Sequence, residues 1–252
     1  MIEIKNVSKS YGKQQIISDL SLQLPKGQFI SIIGPNGAGK STLLSLISRL
    51  ETLDSGTVSI DGLDLATTSG KQLAKRLAIL RQHNETSLRL TVADLVAFGR
   101  FPHSGGRLTP EDKEIIEEAL DYLSLIPLKD KYLDELSGGQ RQRAYIAMVM
   151  CQDTDYVLLD EPLNNLDMKF AVDLMQLLRQ AVDKKNKTVI LVLHDINFAS
   201  CYSDHILALK DGDLAAQGDV ETVIQSQVLS EIYNLPIQVQ ELKGQRISTY
   251  YR

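Results

Sequence analysis

The 252-residue chain is 43% apolar and 23% charged, with a formal net charge of −5. That length suits one large domain, or a domain carrying an inserted subdomain, with a core able to fold without disulfides or structural metal. The acidic balance lacks the global basic field of a duplex nucleic-acid binder, and the two cysteines, Cys151 and Cys201, have no metal-ligand spacing and read as buried or half-buried thiols.

The N-terminus, Met1-Ile2-Glu3-Ile4, lacks the basic start and long apolar stretch of a signal peptide. No apolar run approaches the ~18 residues of a spanning helix. The chain is therefore expected to be cytoplasmic, with any membrane role reached through a partner. Ile2 and Ile4, then Leu20, Leu22 and Leu24, alternate with polar residues and predict strands. Pro25-Lys26-Gly27 reads as a turn, Phe29 to Ile33 as a short apolar strand, and Lys40 to about Leu50 as a helix after a glycine-rich turn. Val58 to Ile60 and Leu63 to Leu65 flank an Asp61-Gly62 hairpin turn, and a further strand ends near Leu80.

From Thr91 to Cys151 the pattern predicts helix throughout. Thr109-Pro110-Glu111-Asp112 is a helix start, with an N-cap, a first-position proline and first-turn acids. Strands return at Tyr156 to Leu159 and Thr188 to Leu193, separated by an amphipathic helix from Met168 to about Lys184. That β-helix-β order predicts a parallel sheet covered on both faces. Ile206 to Ala216 reads as a hairpin around Asp211-Gly212, then helices from Val220 to Tyr233, then a polar tail. In the last segment, Gln225 to Arg252, no motif carries chemistry; Ile237 and Val239 suit either a strand or a cover over the core. The organisation expected is a single 1–252 domain: an α/β core from 1–90 and 152–218, a helical insert from 91–151, and C-terminal helices and tail from 219–252.

Gly34-Pro35-Asn36-Gly37-Ala38-Gly39-Lys40-Ser41 matches the phosphate-loop pattern, after a strand and before a helix. Its glycines let successive N–H groups point at phosphate oxygens, reinforced by the helix N-terminus, and Thr42 extends the same turn. Lys40 can reach the β- and γ-phosphates and Ser41 can ligate Mg²⁺. Tyr156 to Leu159 runs into Asp160-Glu161. An acid at the end of a buried parallel strand is placed to hold Mg²⁺ through water, which assigns Asp160, and Glu161 then polarises the attacking water.

Leu136-Ser137-Gly138-Gly139-Gln140 narrows the family, because it resembles the signature of ATP-binding-cassette (ABC) ATPases. The resemblance runs from Met1 to about Ala216. It implies an α/β P-loop NTPase core with a mainly parallel sheet, an N-terminal antiparallel β subdomain and an inserted helical subdomain. It further implies that Ser137, Gly138, Gly139 and Gln140 face the phosphate loop of a second copy, with two ATPs sandwiched head to tail. Gln82 resembles the glutamine that touches Mg²⁺ and senses the transporter, and Asp167, in Asn165-Leu166-Asp167, the residue coupling the two sites. His194 resembles the switch histidine at the γ-phosphate, and Tyr11 the aromatic stacked on adenine.

More narrowly, Asp160 to Asp167 and Phe98-Gly99-Arg100-Phe101-Pro102-His103 resemble the subgroup serving importers of ferric siderophores, haem and cobalamin, nearest to Gram-positive catechol-type siderophore importers. Leu163 stands where many relatives have Thr, which leaves the cargo class open. The partners implied are transmembrane permease subunits, with Leu90 to Phe101 suited to receive a permease helix, and indirectly an extracytoplasmic binding protein; nucleic acid is not among them. The location implied is the cytoplasmic face of the cell membrane. The competing reading is a soluble cassette ATPase of iron–sulfur cluster assembly.

Overall fold

The computed structural model describes residues 1–82, 84, 86 and 88–251. The expected segments 1–90 and 219–252 include positions 83, 85, 87 and 252, which lie outside the described residues. Two compact units emerge: 1–68 with 175–252, and 69–174.

The first unit opens with β1 (Ile2–Tyr11) and β2 (Gln14–Leu24), then β3 (Phe29–Ile33), α1 (Lys40–Ile47), β4 (Ser55–Ile60) and β5 (Leu63–Asp64). An antiparallel sheet has the order β2-β1-β4-β5, and its alternation buries Ile2, Ile4, Leu20, Leu22 and Leu24 on one face. Asp61 and Gly62 both have positive φ, as a tight hairpin turn needs. α1 stops three residues before the expected Leu50. Ser48 caps it, and Arg49 turns left-handed so that its guanidinium reaches the carbonyls of Leu65 and Thr68.

The second unit carries α2 (Gly70–Ala74), β6 (Leu77–Leu80), α3 (Val92–Phe98), α4 (Phe101–Ser104), α5 (Pro110–Tyr122), α6 (Gly138–Cys151) and β7 (Tyr156–Asp160), and α7 (Met168–Lys185) begins in it. β6 and β7 pair in parallel, and both are largely buried. The helical stretch expected from Thr91 to Cys151 is interrupted. Gly105 and Gly106 adopt positive φ after α4, and two 3₁₀ turns and a Thr91–Tyr132 bridge fill the run before α6. α5 starts where expected, and Thr109 and Asp112 form a full capping box.

The chain returns to the first unit with β8 (Thr188–Val192), α8 (Ile196–Tyr202), β9 (His205–Lys210), β10 (Asp213–Gly218), α9 (Val220–Val223) and α10 (Ser226–Tyr233). β3 lies between β8 and β9, parallel to both, and β10 adds antiparallel to β9 through the Asp211-Gly212 turn. Buried on both faces, these central strands are apolar runs rather than alternating ones. The polar tail is a hairpin, β11 (Gln238–Leu242) and β12 (Gln245–Thr249), turning at Lys243-Gly244. Its edge bonds to α8: Ser248 N donates to Asn197 Oδ1 at 2.7 Å, and Asn197 Nδ2 donates to the Ser248 carbonyl at 3.2 Å.

Among the described residues no helix is long and apolar enough to cross a membrane. Both cysteines are free, with Cys151 buried and Cys201 half-buried.

The second unit is locked by a buried ion pair. Arg100 Nε donates to Asp112 Oδ1 at 2.8 Å and Arg100 Nη1 to the Cys151 carbonyl at 3.0 Å. The Thr109 backbone N–H, and after it Arg100, hold the Asp112 carboxyl down at about 2, below its ordinary 3.8. A depressed carboxylate stabilises the fold fully above its unfolded value and loses that contribution as pH falls towards 2. Asp112→Asn should therefore lower the melting temperature at pH 7. In circular-dichroism melts the gap to the parent should narrow below about pH 4 and close near pH 2; a pH-independent gap would contradict the assignment.

Candidate functional site

The phosphate-loop residues lie in the first unit. Gly34 leaves β3 with φ 143°, and a side chain there would begin 2.1 Å from the Leu209 carbonyl oxygen. Only glycine fits. Pro35, Asn36, Gly37 and Ala38 form the bend, closed by an Ala38 N–H to Pro35 carbonyl bond of 3.2 Å. Gly39 caps α1 in the left-handed region, and Lys40, Ser41 and Thr42 form its first turn. Lys40 is buried, its ammonium 2.8 Å from the Gly34 carbonyl and 2.9 Å from that of Pro35. The loop thus wraps its own lysine.

Two further candidates belong to this unit. His194 is exposed between β8 and α8, just before Asp195, whose carboxylate caps α8 at the Asn197 and Phe198 N–H groups. Tyr11 ends β1, 47% exposed, with the Lys9 ammonium 5.2 Å from its ring centroid. An exposed aromatic face anchored by a neighbouring cation is available for stacking.

The acids and the signature lie in the second unit. Asp160 ends β7 and is buried; Glu161 follows with φ 50°, a left-handed conformation that turns the chain sharply. Glu161 Oε2 accepts Gln82 Nε2 and Asn164 Nδ2, each at 2.7 Å. Gln142 Nε2 ties the Pro162 carbonyl to α6 at 3.1 Å. The residues read separately as Gln82 and Glu161 therefore form one cluster.

Ser137 caps α6 through a reciprocal pair with Gln140: Ser137 Oγ accepts the Gln140 N–H at 3.3 Å, and Gln140 Oε1 accepts the Ser137 N–H at 3.0 Å. Gly138 and Gly139 sit on the first turn, with Gly139 against the Asn165 carbonyl. A 14-residue helix thus presents a capped, exposed N-terminus, a favourable end for an anion. Asp167 is exposed and accepts the Phe170 N–H at 2.9 Å at the start of α7. It also supports the charge of Arg143, whose pKa burial lowers and Asp167 opposes. The Arg143 guanidinium lies 4.1 Å from the centre of the Phe170 ring.

Asn164 was the missed member of the cluster, though it stands inside the run from Asp160 to Asp167. Tyr233 was missed as well: the Gly34 N–H donates to its hydroxyl at 3.1 Å across 199 positions. No local pattern flags that contact. In the second unit Gln82 and Asp160 supply amide and carboxylate oxygens, and in the first Ser41 supplies a hydroxyl; each is a hard donor of the kind that suits Mg²⁺. Among the described residues no group of three His, Cys, Asp or Glu side chains could hold a metal, and Mg²⁺ needs none, because a single carboxylate can suffice when phosphate and water oxygens fill most of its shell.

The profile of the ABC transporter family matches residues 17–164. The chain belongs to that family, as an ATP-binding subunit that hydrolyses ATP. It is 54% identical over 251 residues to the petrobactin import ATP-binding protein YclP of Bacillus subtilis (strain 168), covering 100% of both chains. Its fold matches an inward-facing metal-chelate type ABC transporter with a TM-score of 0.83 at 25% identity, covering 99% of this chain and 96% of that one. It also matches a dimeric ATP-binding cassette in a post-hydrolysis state bound to ADP and phosphate, with a TM-score of 0.79, 30% identity, and 87% and 99% coverage.

The close approach at Gly34 generates a direct test. Gly34→Ala places a methyl group on the Leu209 carbonyl in a conformation that L side chains rarely adopt, and should cost more than about 2 kcal/mol of stability. Chemical denaturation of parent and variant checks this; equal midpoints would contradict the contact.

Proposed function

We propose that this chain energises an importer of ferric siderophores, of the petrobactin class, from the cytoplasmic face of the cell membrane. The observation that carries the reading is the 2.7 Å bond between Gln82 and Glu161. It joins the residue next to the candidate permease surface to the candidate catalytic carboxylate, so movement of one displaces the other. Import of a metal chelate is supported by the relative that matches over its full length and by the transporter with the same fold.

Amides between Gly37 and Thr42 and the Lys40 ammonium receive the β- and γ-phosphates, with Tyr11 stacked on adenine. Ser137, Gly138, Gly139 and Gln140 receive the γ-phosphate held by a second copy, so two ATPs cement a head-to-tail dimer. Glu161 orients a water against the γ-phosphorus and takes its proton, while Gln82 and Asn164 hold the carboxylate in place. Lys40, His194 and Ser137 offset the charge that develops on the phosphate oxygens. Ser41, Asp160 and the amide oxygen of Gln82 would hold Mg²⁺, which neutralises phosphate charge when bound. Asp167 links the two sites through α7 and Arg143. Loss of the γ-phosphate removes the contacts bridging the copies and lets them separate.

The permease partner is supported by a pocket of about 420 Å³ in the second unit, lined by Asn84, Leu90, Leu133, Arg141 and Tyr145 among others. Leu88, Phe98 and Phe101 are exposed. A depression of mixed polar and apolar lining, carrying Arg89 and Arg141 beside Leu88, Leu90 and Leu133, suits the cytoplasmic helix of a membrane subunit. Through that subunit the chain serves an extracytoplasmic binding protein. Its organisation, in this reading, is one cassette of α/β core (1–90 and 152–218), helical insert (91–151) and C-terminal segment (219–252).

Glu161→Gln keeps the hydrogen-bond partners and removes the base. Turnover should fall about 100-fold or more, and size-exclusion chromatography should show a stable dimer with ATP. A variant that hydrolyses normally, or stays monomeric with ATP, would sink the assignment. Recovery of the parent from solubilised membranes with soluble scaffold proteins alone would reject the importer reading.

A further inference from the structure

The C-terminal helix reaches the phosphate loop through one side chain. The Gly34 N–H donates to the Tyr233 hydroxyl oxygen at 3.1 Å. On the far side of the same Cα, the Gly34 carbonyl accepts the Lys40 ammonium at 2.8 Å. The Leu209 carbonyl oxygen closes the third side, 2.1 Å from where a side chain would begin. Gly34 is therefore fixed from α1, from β9 and from α10.

Tyr233 is itself firmly set. Burial pushes its phenol up to about 12, so the hydroxyl stays neutral and its oxygen accepts the amide at any ordinary pH. α10 ends at Asn234 in the left-handed conformation, and Asn234 Oδ1 accepts Lys210 Nζ at 2.9 Å. The same ammonium bonds to the Glu231 carbonyl, a cation at a helix C-terminus. Lys210 ends β9, which pairs with β3 up to Ile33 opposite Ala208. A closed circuit runs from β3 through Gly34, Tyr233 and Lys210 back to the strand beside β3.

We propose that Tyr233 is a positioning residue for nucleotide binding. Acting through the Gly34 N–H, it sets the direction in which the loop leaves β3, and so the aim of the amides from Gly37 to Ser41. Glycine has no side chain to restrict its backbone, so the orientation of this peptide depends on what bonds to it. Removing the acceptor leaves a part-buried N–H unsatisfied and the loop entry free to rotate. This deepens the reading of residues 34–41 as the phosphate loop and rests on it.

Tyr233→Phe retains the ring and deletes only the acceptor. In the full chain the Kd for ATP, measured by titration calorimetry, should rise about three- to tenfold. KM for ATP should rise with it, while kcat at saturating ATP stays within about twofold, the split expected of a group that acts on binding rather than on chemistry. Amide exchange should quicken at Gly34 and stay unchanged in β3. A parent-like Kd, or unchanged exchange at Gly34, overturns the proposal. Lys40→Ala separates it from its foundation. If Lys40→Ala loses ATP while Tyr233→Phe binds like the parent, the phosphate loop stands and Tyr233 has no positioning role. If Lys40→Ala binds like the parent, the loop reading falls and the proposal falls with it.

Discussion

A loop that receives a polyanion with its own backbone amides cannot also use those amides to hold itself together. Its shape has to be imposed by other groups, and that requirement organises the first unit. The bend from Gly34 to Gly39 contains a single internal backbone bond, from Ala38 N–H to the Pro35 carbonyl. Further restraints come from Lys40 bonding to two of its carbonyls, Tyr233 accepting its first amide, and the Leu209 carbonyl pressed on its first Cα. β3 is buried throughout and flanked in parallel by β8 and β9, so the point from which the loop departs is rigid. Preorganisation of this kind lowers the ordering cost that ligand binding would otherwise carry.

The second unit meets a related requirement with strain. Glu161 and Asn165 both adopt left-handed backbone conformations, of the kind that cost on the order of 1–3 kcal/mol each. Such a turn persists only where neighbours determine it. Gln142 holds the Pro162 carbonyl, Gln82 and Asn164 both bond to the Glu161 carboxylate, and Gly139 packs on the Asn165 carbonyl. The start of α6 and the exit of β7 therefore support each other inside one unit. Ser137 and Gln140 cap the helix while exposing its first turn, so a structural cap and an anion-binding end coincide in the same four residues.

Legibility in the sequence follows the range of the interactions. The phosphate loop, the signature turn and the paired acids are local, each defined within eight residues, and their strand and helix settings were readable from apolar runs. The Asp61-Gly62 and Asp211-Gly212 turns were readable because left-handed backbone has a composition. The same signal exists at Lys243-Gly244, but the flanking strands are so polar, with Val239, Leu242 and Ile247 nearly alone, that alternation was hidden. α1 was read too long because Arg49 is an ordinary helix former; its left-handed turn depends on carbonyls of Leu65 and Thr68 that no local window contains. Tyr233 lies at the extreme. A tyrosine in an amphipathic helix reads as core, and only the fold brings its hydroxyl to Gly34.

The segment from Phe98 to His103 shows how a subgroup resemblance can have a packing origin. A side chain at Gly99 would begin 2.2 Å from the Met148 carbonyl, so glycine there lets α3 close on α6. Arg100 then reaches the Cys151 carbonyl and Asp112, and His103 Nε2 bonds to the Gln152 carbonyl at 3.0 Å. Three of six positions in the segment are thus engaged with α6 and its C-terminal end, while Phe98 and Phe101 remain exposed beside them. Gly99, Arg100 and His103 brace the helical unit and the exposed aromatics offer a surface to a partner. Bracing of the helical unit and presentation of an exposed aromatic face are thus built from adjacent positions of one short segment.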